Sequence, residues 1–115
     1  MQLNHLHLHV ADVNRARAFY QNYFAMREHV WHGPILFMRD SADMDLALAP
    51  AASIEPLPDW FHFGFRQSAA ADVEALHDKM SAAGLAPGAL AREPGYVTFR
   101  CRDPDGYRIE IYWEE

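Results

Sequence analysis

Cysteine is almost absent: Cys101 stands alone, so no internal disulfide can form. Val97 and Phe99 precede it at period two, the pattern of a strand with one buried face, so a structural thiol with no catalytic role is expected. Basic runs are also lacking. Lys and Arg number 10 against 16 Asp and Glu, a net charge of −6, and nothing concentrates positive charge as tracking a phosphate backbone requires. Nucleic acid is therefore excluded as the expected partner. No apolar run approaches the roughly 20 residues of a membrane span. Gln2, Asn4 and the histidines after them have none of the basic-then-apolar order of an export signal. The expected setting is the cytoplasm, with no membrane partner.

What the chain does have is alternation. In LNHLHLHV, His5, His7 and His9 fall on one face of a strand and Leu6, Leu8 and Val10 on the other. Asp12 is placed to cap a helix whose apolar positions Val13, Ala16, Phe19, Tyr20, Tyr23 and Phe24 follow helical spacing. Three short strands are expected next, over 28–31, 35–39 and 44–49, divided by Gly33-Pro34 and by Asp40-Ser41-Ala42-Asp43. Pro50, Pro56 and Pro58 then mark a linker, since proline continues neither a helix nor a central strand. The order repeats beyond it. DWFHFGFR reads as a strand, and Ser68 as the cap of a helix with Val73, Leu76, Met80 and Ala83 on one face, ended by Gly84. Strands follow over 89–92, 96–101 and 107–113, the last two joined by Asp103-Pro104-Asp105-Gly106.

With 115 residues the chain is long enough for one well-formed core. A single domain is expected, of α+β class, built from two β-α-β-β-β modules over about 1–50 and 59–115 with the linker at about 50–58. The repeat is visible residue by residue. Laying 38–50 on 101–113 without a gap puts Arg39-Asp40 on Arg102-Asp103 and Leu46 and Leu48 on Ile109 and Ile111. At the start of each module His5 falls on His62, Leu6 on Phe63 and Phe19 on Leu76. Duplication accounts for agreement at both ends.

The repeat places two histidines on equivalent first strands, whereas the equivalent last strands carry Ala47 in one module and Glu110 in the other. Glu110 stands between Ile109 and Ile111, so it points away from the apolar face and needs a cation or hydrogen bonds to offset its desolvation. His5, His62 and Glu110 are thus candidate metal ligands, two imidazoles and a carboxylate of the kind that leaves positions open on iron(II), manganese, zinc or nickel. Three plainer readings stand beside this one. The histidines can be solvated or locally hydrogen-bonded, Glu110 can pair with Arg108, or His5, His7 and His9 can grip an ion from one strand.

NHLHLHVADVNRARAFYQNYF, the central FHFGF and the closing DPDGYRIEIYW together resemble the vicinal oxygen chelate superfamily, which includes glyoxalase I, extradiol dioxygenases, fosfomycin-resistance transferases and bleomycin-binding proteins. The resemblance implies two modules forming a curved mixed sheet with helices outside and a divalent metal on His5, His62 and Glu110. It also implies a homodimer in which His5 of one chain joins His62 and Glu110 of the other. Four departures narrow the chemistry. Ala47 stands where glyoxalase I has its fourth ligand, a glutamate, so that isomerase is disfavoured. Arg100 stands where extradiol enzymes carry a tyrosine, and no histidine occurs from Ser81 to Glu115. ALAREPGYVTF lacks the lysine and serine-rich loop of the fosfomycin transferases. Bleomycin binders lack the triad that this chain retains. The expectation is a dioxygenase- or lyase-type metalloenzyme that takes a small substrate through adjacent oxygens. The alternative is a non-catalytic small-molecule binding or resistance protein with a vestigial site. His7 is the candidate acid or base, Tyr96 or Tyr107 a hydrogen-bond donor, and Arg92 or Arg100 the anchor for an anionic substrate. Trp31, Trp60 and Trp113 are candidates to wall a pocket, with core packing as their default.

Overall fold

The structure, a computed structural model, describes all 115 residues. The chain divides into two units, Met1–Pro56 and Leu57–Glu115, so the boundary falls inside the proline-rich stretch. In the first unit β1 (His5–Val10), α1 (Val13–Phe24), β2 (Arg27–His32), β3 (Ile35–Arg39) and β4 (Asp45–Pro50) form a four-stranded sheet in the order β1-β4-β3-β2. The second unit repeats this with β5 (Phe63–Arg66), α2 (Ala70–Ala82), β6 (Ala91–Glu93), β7 (Tyr96–Arg102) and β8 (Arg108–Glu114), in the order β5-β8-β7-β6. The first strand of each unit runs parallel to the last, and the other pairs are antiparallel.

The helices form where the sequence supplies both a cap and an apolar stripe. Asp12 accepts the Arg15 N–H at 3.1 Å, satisfying one of the amides that the first turn leaves open. Ala25 then turns left-handed at φ 52°, and the Met26 N–H closes back on the Tyr20 carbonyl. The buried side of α1, Ala16, Phe19, Tyr20 and Phe24, packs on β3 and β4, where Leu36, Met38, Leu46 and Leu48 are fully enclosed. Each such leucine or methionine contributes roughly 1.5–3 kcal/mol by leaving water. In the second unit Val73, Leu76 and Met80 of α2 cover Val97, Phe99, Ile109 and Ile111 of β7 and β8 in the same way. Cys101 is buried with them, and burial pushes its thiol up to about 12, which keeps it protonated and inert.

Three expectations need correction. Ser68 does not cap α2: the N-cap is Ala69, with no side-chain bond, and Asp72 in the first turn supplies the favourable negative charge instead. Ala83 is exposed rather than part of the apolar face, because the helix has already ended one residue earlier. The strand expected over DWFHFGFR begins only at Phe63. A turn closed by the Phe61 N–H on the Pro58 carbonyl at 2.9 Å holds the chain off the sheet until then, so His62 immediately precedes β5.

Both units share register as well as order. Leu6 faces Leu46 and His7 faces Ala47 across the parallel pair of the first, as Phe63 faces Ile109 and Gly64 faces Glu110 in the second. The turn before each last strand is the same down to its atoms. Asp40 Oδ1 accepts the Ala42 and Met44 N–H groups at 2.9 and 3.0 Å, and Asp103 Oδ1 accepts those of Asp105 and Tyr107, both at 2.9 Å. Left-handed backbone falls at Asp43 in one and at Gly106 in the other. Strand β2 forms one edge of its sheet, is exposed along its whole length, and is interrupted by a bulge between Glu28 and Val30.

Candidate functional site

In β8 the alternation of Ile109, Glu110 and Ile111 buries the two isoleucines against α2 and turns Glu110 to the opposite face, half-buried. Neighbours on β7 fix its carboxylate. Oε2 accepts the Thr98 hydroxyl at 2.8 Å and the Tyr96 hydroxyl at 3.2 Å, both from residues on the same face as Glu110. Burial, with the Glu110 charge beside it, raises the Tyr96 pKa, so the phenol remains a donor. Oε1 is left facing His62.

The His62 ring is held from behind. Nδ1 lies 3.1 Å from the Trp60 carbonyl, an oxygen that can only accept, so the proton of a neutral ring sits on Nδ1 and the lone pair on Nε2. That lone pair lies 3.6 Å from Glu110 Oε1, beyond hydrogen-bonding distance. Two acceptors thus confront each other, each oriented by a partner on its far side. Only a proton on the imidazole or a bound cation makes this arrangement favourable, and metal ligands are oriented through their other atoms in this manner. The donor set, one imidazole nitrogen and one carboxylate oxygen, suits a divalent transition metal.

Gly64 completes the local geometry. It faces Glu110 in the parallel register, and a Cβ placed on it would lie 3.2 Å from the Glu110 carbonyl oxygen and 3.7 Å from both the Glu110 Cβ and the Tyr112 ring. The missing side chain leaves the space beside Glu110 and the Tyr112 ring unfilled. Replacing Gly64 with valine is expected to leave the protein folded by circular dichroism and to weaken divalent-metal binding about tenfold, the lower end of what disturbing a ligand's surroundings costs. Unchanged affinity by calorimetry would show that this space is irrelevant.

Of the residues singled out from sequence, the second unit brings together His62, Glu110 and Tyr96, and places Arg100 directly opposite Glu110 in the β7–β8 register. Arg100 is exposed. His5 and His7 lie in the first unit, exposed on β1, with His7 edge-on to His9 at 5.4 Å. No group of three or more His, Cys, Asp or Glu side chains forms in the chain. Arg92 forms an exposed ion pair with Glu74 of α2. The Tyr107 backbone belongs to the Asp103 turn. Core packing does not describe Trp60, which is 74% exposed, or Trp31, whose indole N–H donates to Glu28 at 2.6 Å. Sequence reasoning missed Thr98, the shortest contact to Glu110. Its period-two spacing from Tyr96 was the available signal.

Residues 2–111 match the model of the Glyoxalase/Bleomycin resistance protein/Dioxygenase superfamily. An uncharacterized protein of Pseudomonas aeruginosa is 33% identical over 95% of this chain and 86% of its own length. Among solved structures, a possible glyoxalase from Bacillus cereus superposes with a TM-score of 0.85 at 29% identity, covering 96% of this chain and 97% of that one. A genomically encoded fosfomycin resistance protein from Listeria monocytogenes gives 0.86 at 21% identity over 100% and 94% of the two chains, a likeness of fold. No helix is long and apolar enough to cross a membrane.

Proposed function

Because the chain belongs to the glyoxalase/bleomycin resistance protein/dioxygenase superfamily, we propose that it is a divalent-metal-dependent enzyme whose small substrate is held through two adjacent oxygens. The observation that carries this is the opposition of His62 Nε2 and Glu110 Oε1 at 3.6 Å, each backed by a hydrogen-bond partner. His5 is the third ligand, supplied by the partner chain of a homodimer. When bound, a divalent ion would supply Lewis acidity, stabilising negative charge as it develops on the substrate oxygens.

The chain's own residues do the rest. Trp60 and Thr98 orient the two ligands through the carbonyl and the hydroxyl that hold them. Tyr96 donates to Glu110 and stays protonated through the physiological range. Gly64 leaves room for a substrate beside Glu110, and Arg100 opposite it supplies a positive charge for an anionic group. His7, on the imidazole face of β1, is the group that moves a proton. Ala47 has no functional atom, so no second carboxylate completes a four-ligand set, and the chemistry is of dioxygenase or lyase type.

Metal titration of tag-free protein tests the reading. Wild-type protein is expected to take up manganese or nickel at one ion per chain, and the His62→Ala variant to bind at least about 100-fold more weakly, beyond the range reached by changes behind the ligands. Absence of any saturable binding would remove the enzyme and leave a small-molecule binder. Binding untouched by His62→Ala would move the site to His5, His7 and His9.

A further inference from the structure

Duplication makes each unit a control for the other, and at one place they differ in kind. In the first unit Arg39 and Asp45 face each other across β3 and β4 and form a bidentate ion pair, with Nε to Oδ1 at 2.7 Å and Nη2 to Oδ2 at 3.2 Å. The neighbouring position on that face of β3 is Phe37, opposite Ala47. The corresponding residues of the second unit are Arg102 opposite Arg108, with Arg100 opposite Glu110. A pair of opposite charges has become a pair of like charges, and an aromatic ring has become a third guanidinium. Like charges directly across a sheet are destabilising.

These three arginines line a cavity of about 280 Å³ together with Cys101 and residues Leu85, Ala86 and Gly88 of the loop after α2. No carboxylate is among the lining residues, although the chain as a whole carries a net charge of −6. Arg108 is partly neutralised, donating to Asp59 at 2.7 Å and to the Pro58 carbonyl at 3.3 Å, and Arg102 reaches the Gly106 carbonyl at 3.3 Å. Arg100 is exposed at the cavity. Gly88 is drawn against β7 by its N–H bond to the Arg100 carbonyl at 2.8 Å, where a Cβ would lie only 3.2 Å from that oxygen, so the loop wall sits close and small.

We infer that this cleft is an oxyanion site, built from Arg100, Arg102 and Arg108, that binds a carboxylate or phosphate group of the substrate. It rests on the proposed function in one respect: Glu110 shares the face with the arginines, and the Arg102–Arg108 pair lies two strand residues further along. The anionic group is then about 7 Å along the strand from Glu110, the carboxylate that would hold the metal. The substrate is accordingly a small molecule with two vicinal oxygens at one end and a carboxylate or phosphate at the other. Guanidinium forks bind both groups in bidentate fashion, and the bound anion relieves the repulsion between Arg102 and Arg108.

Titration of chelator-treated, full-length protein with inorganic phosphate and with malonate, followed by shifts of the arginine Nε–H and Gly88 amide signals in nitrogen-proton NMR spectra, tests the site without any metal. Saturable shifts of these signals are expected in wild-type protein. Arg100→Gln and Arg102→Gln should each weaken binding about tenfold or more, as loss of one charge-assisted bond requires, and Arg15→Gln on α1 should leave it unchanged. The tighter of the two probes identifies the oxyanion. Shifts that never saturate, or that weaken equally in Arg15→Gln, overturn the inference. Since the metal titration is run separately, a protein that binds metal but no anion loses this site alone, and one that binds the anion but no metal keeps it.

Discussion

Glu110→Ala is expected to abolish divalent-metal binding in the working range, lowering affinity by at least about 100-fold, while its elution volume and melting profile stay close to wild type. The ligand itself is lost, which exceeds the 10- to 100-fold cost of disturbing a ligand's supports. The fold is spared because Glu110 faces away from the core that Ile109 and Ile111 build with α2. Removal of the carboxylate leaves Thr98 able to donate to the Ile111 carbonyl at 3.1 Å, so no buried hydroxyl is stranded. His5→Ala should fail equally. Mixing the two inactive proteins under conditions of subunit exchange then separates the possible arrangements. If His5 acts across the dimer, each mixed dimer holds one intact site, and an equimolar mixture regains about a quarter of the wild-type sites. If each chain builds its own site, mixing regains nothing, and the proposal of a shared centre is lost.

The largest effect on stability is expected at Asp103. This carboxylate is 5% exposed, and its Oδ1 accepts both the Asp105 and Tyr107 N–H groups, while its own backbone closes the turn to Tyr107 and Gly106 at 3.0 Å. Asp103→Ala removes two charge-assisted bonds at once and leaves two amides without their partner. Bonds to charged groups contribute about 1.5–3 kcal/mol each, and partial access of water reduces the sum, so a loss of about 2–4 kcal/mol is expected by urea unfolding. Asp103→Asn retains an acceptor oxygen and should lose less than half as much. Asp40→Ala, at the matching but more exposed turn, should fall between. An Asp103→Ala protein within about 0.5 kcal/mol of wild type, the range of an ordinary surface substitution, would show that the turn is held by its backbone alone.

The periodicities made most of this architecture legible. Strict alternation in LNHLHLHV gives β1, helical spacing after Asp12 gives α1, and the gapless alignment of 38–50 on 101–113 anticipates the shared register and the twin Asp turns. Pattern failed where a single contact decides. Ser68 has the chemistry of a cap, but the chain enters α2 one residue later at Ala69. His62 sits inside an alternating run, but a turn anchored at Pro58 takes precedence over pairing there. Arg92 and Arg100 look alike in sequence, yet one meets Glu74 and the other lies opposite Glu110. For the candidate site, the spacing singled out His62, Glu110 and Tyr96, which lie together, but not their supports, because Thr98 and the Trp60 carbonyl act through distances that no spacing encodes. The arginine cleft was half visible: the same alignment that sets Arg39 on Arg102 also sets Asp45 on Arg108, but the charge reversal acquires meaning only once those residues are known to face each other.

Strand β2 presents a different problem, that of an open row of amides and carbonyls where another chain can add itself. Its six exposed residues carry Arg27, Glu28, His29 and His32, and its bulge breaks the regular spacing that stacking needs. At the corresponding edge of the second sheet β6 is only three residues long, contains Arg92 and Glu93, and runs directly into Pro94, which has no N–H to offer. A fold made by copying a sheet also copies its sticky borders. Of the four edges, the two formed by β2 and β6 are blunted by charge, a bulge and a proline, which guards the concentrated protein against growing into fibres along them.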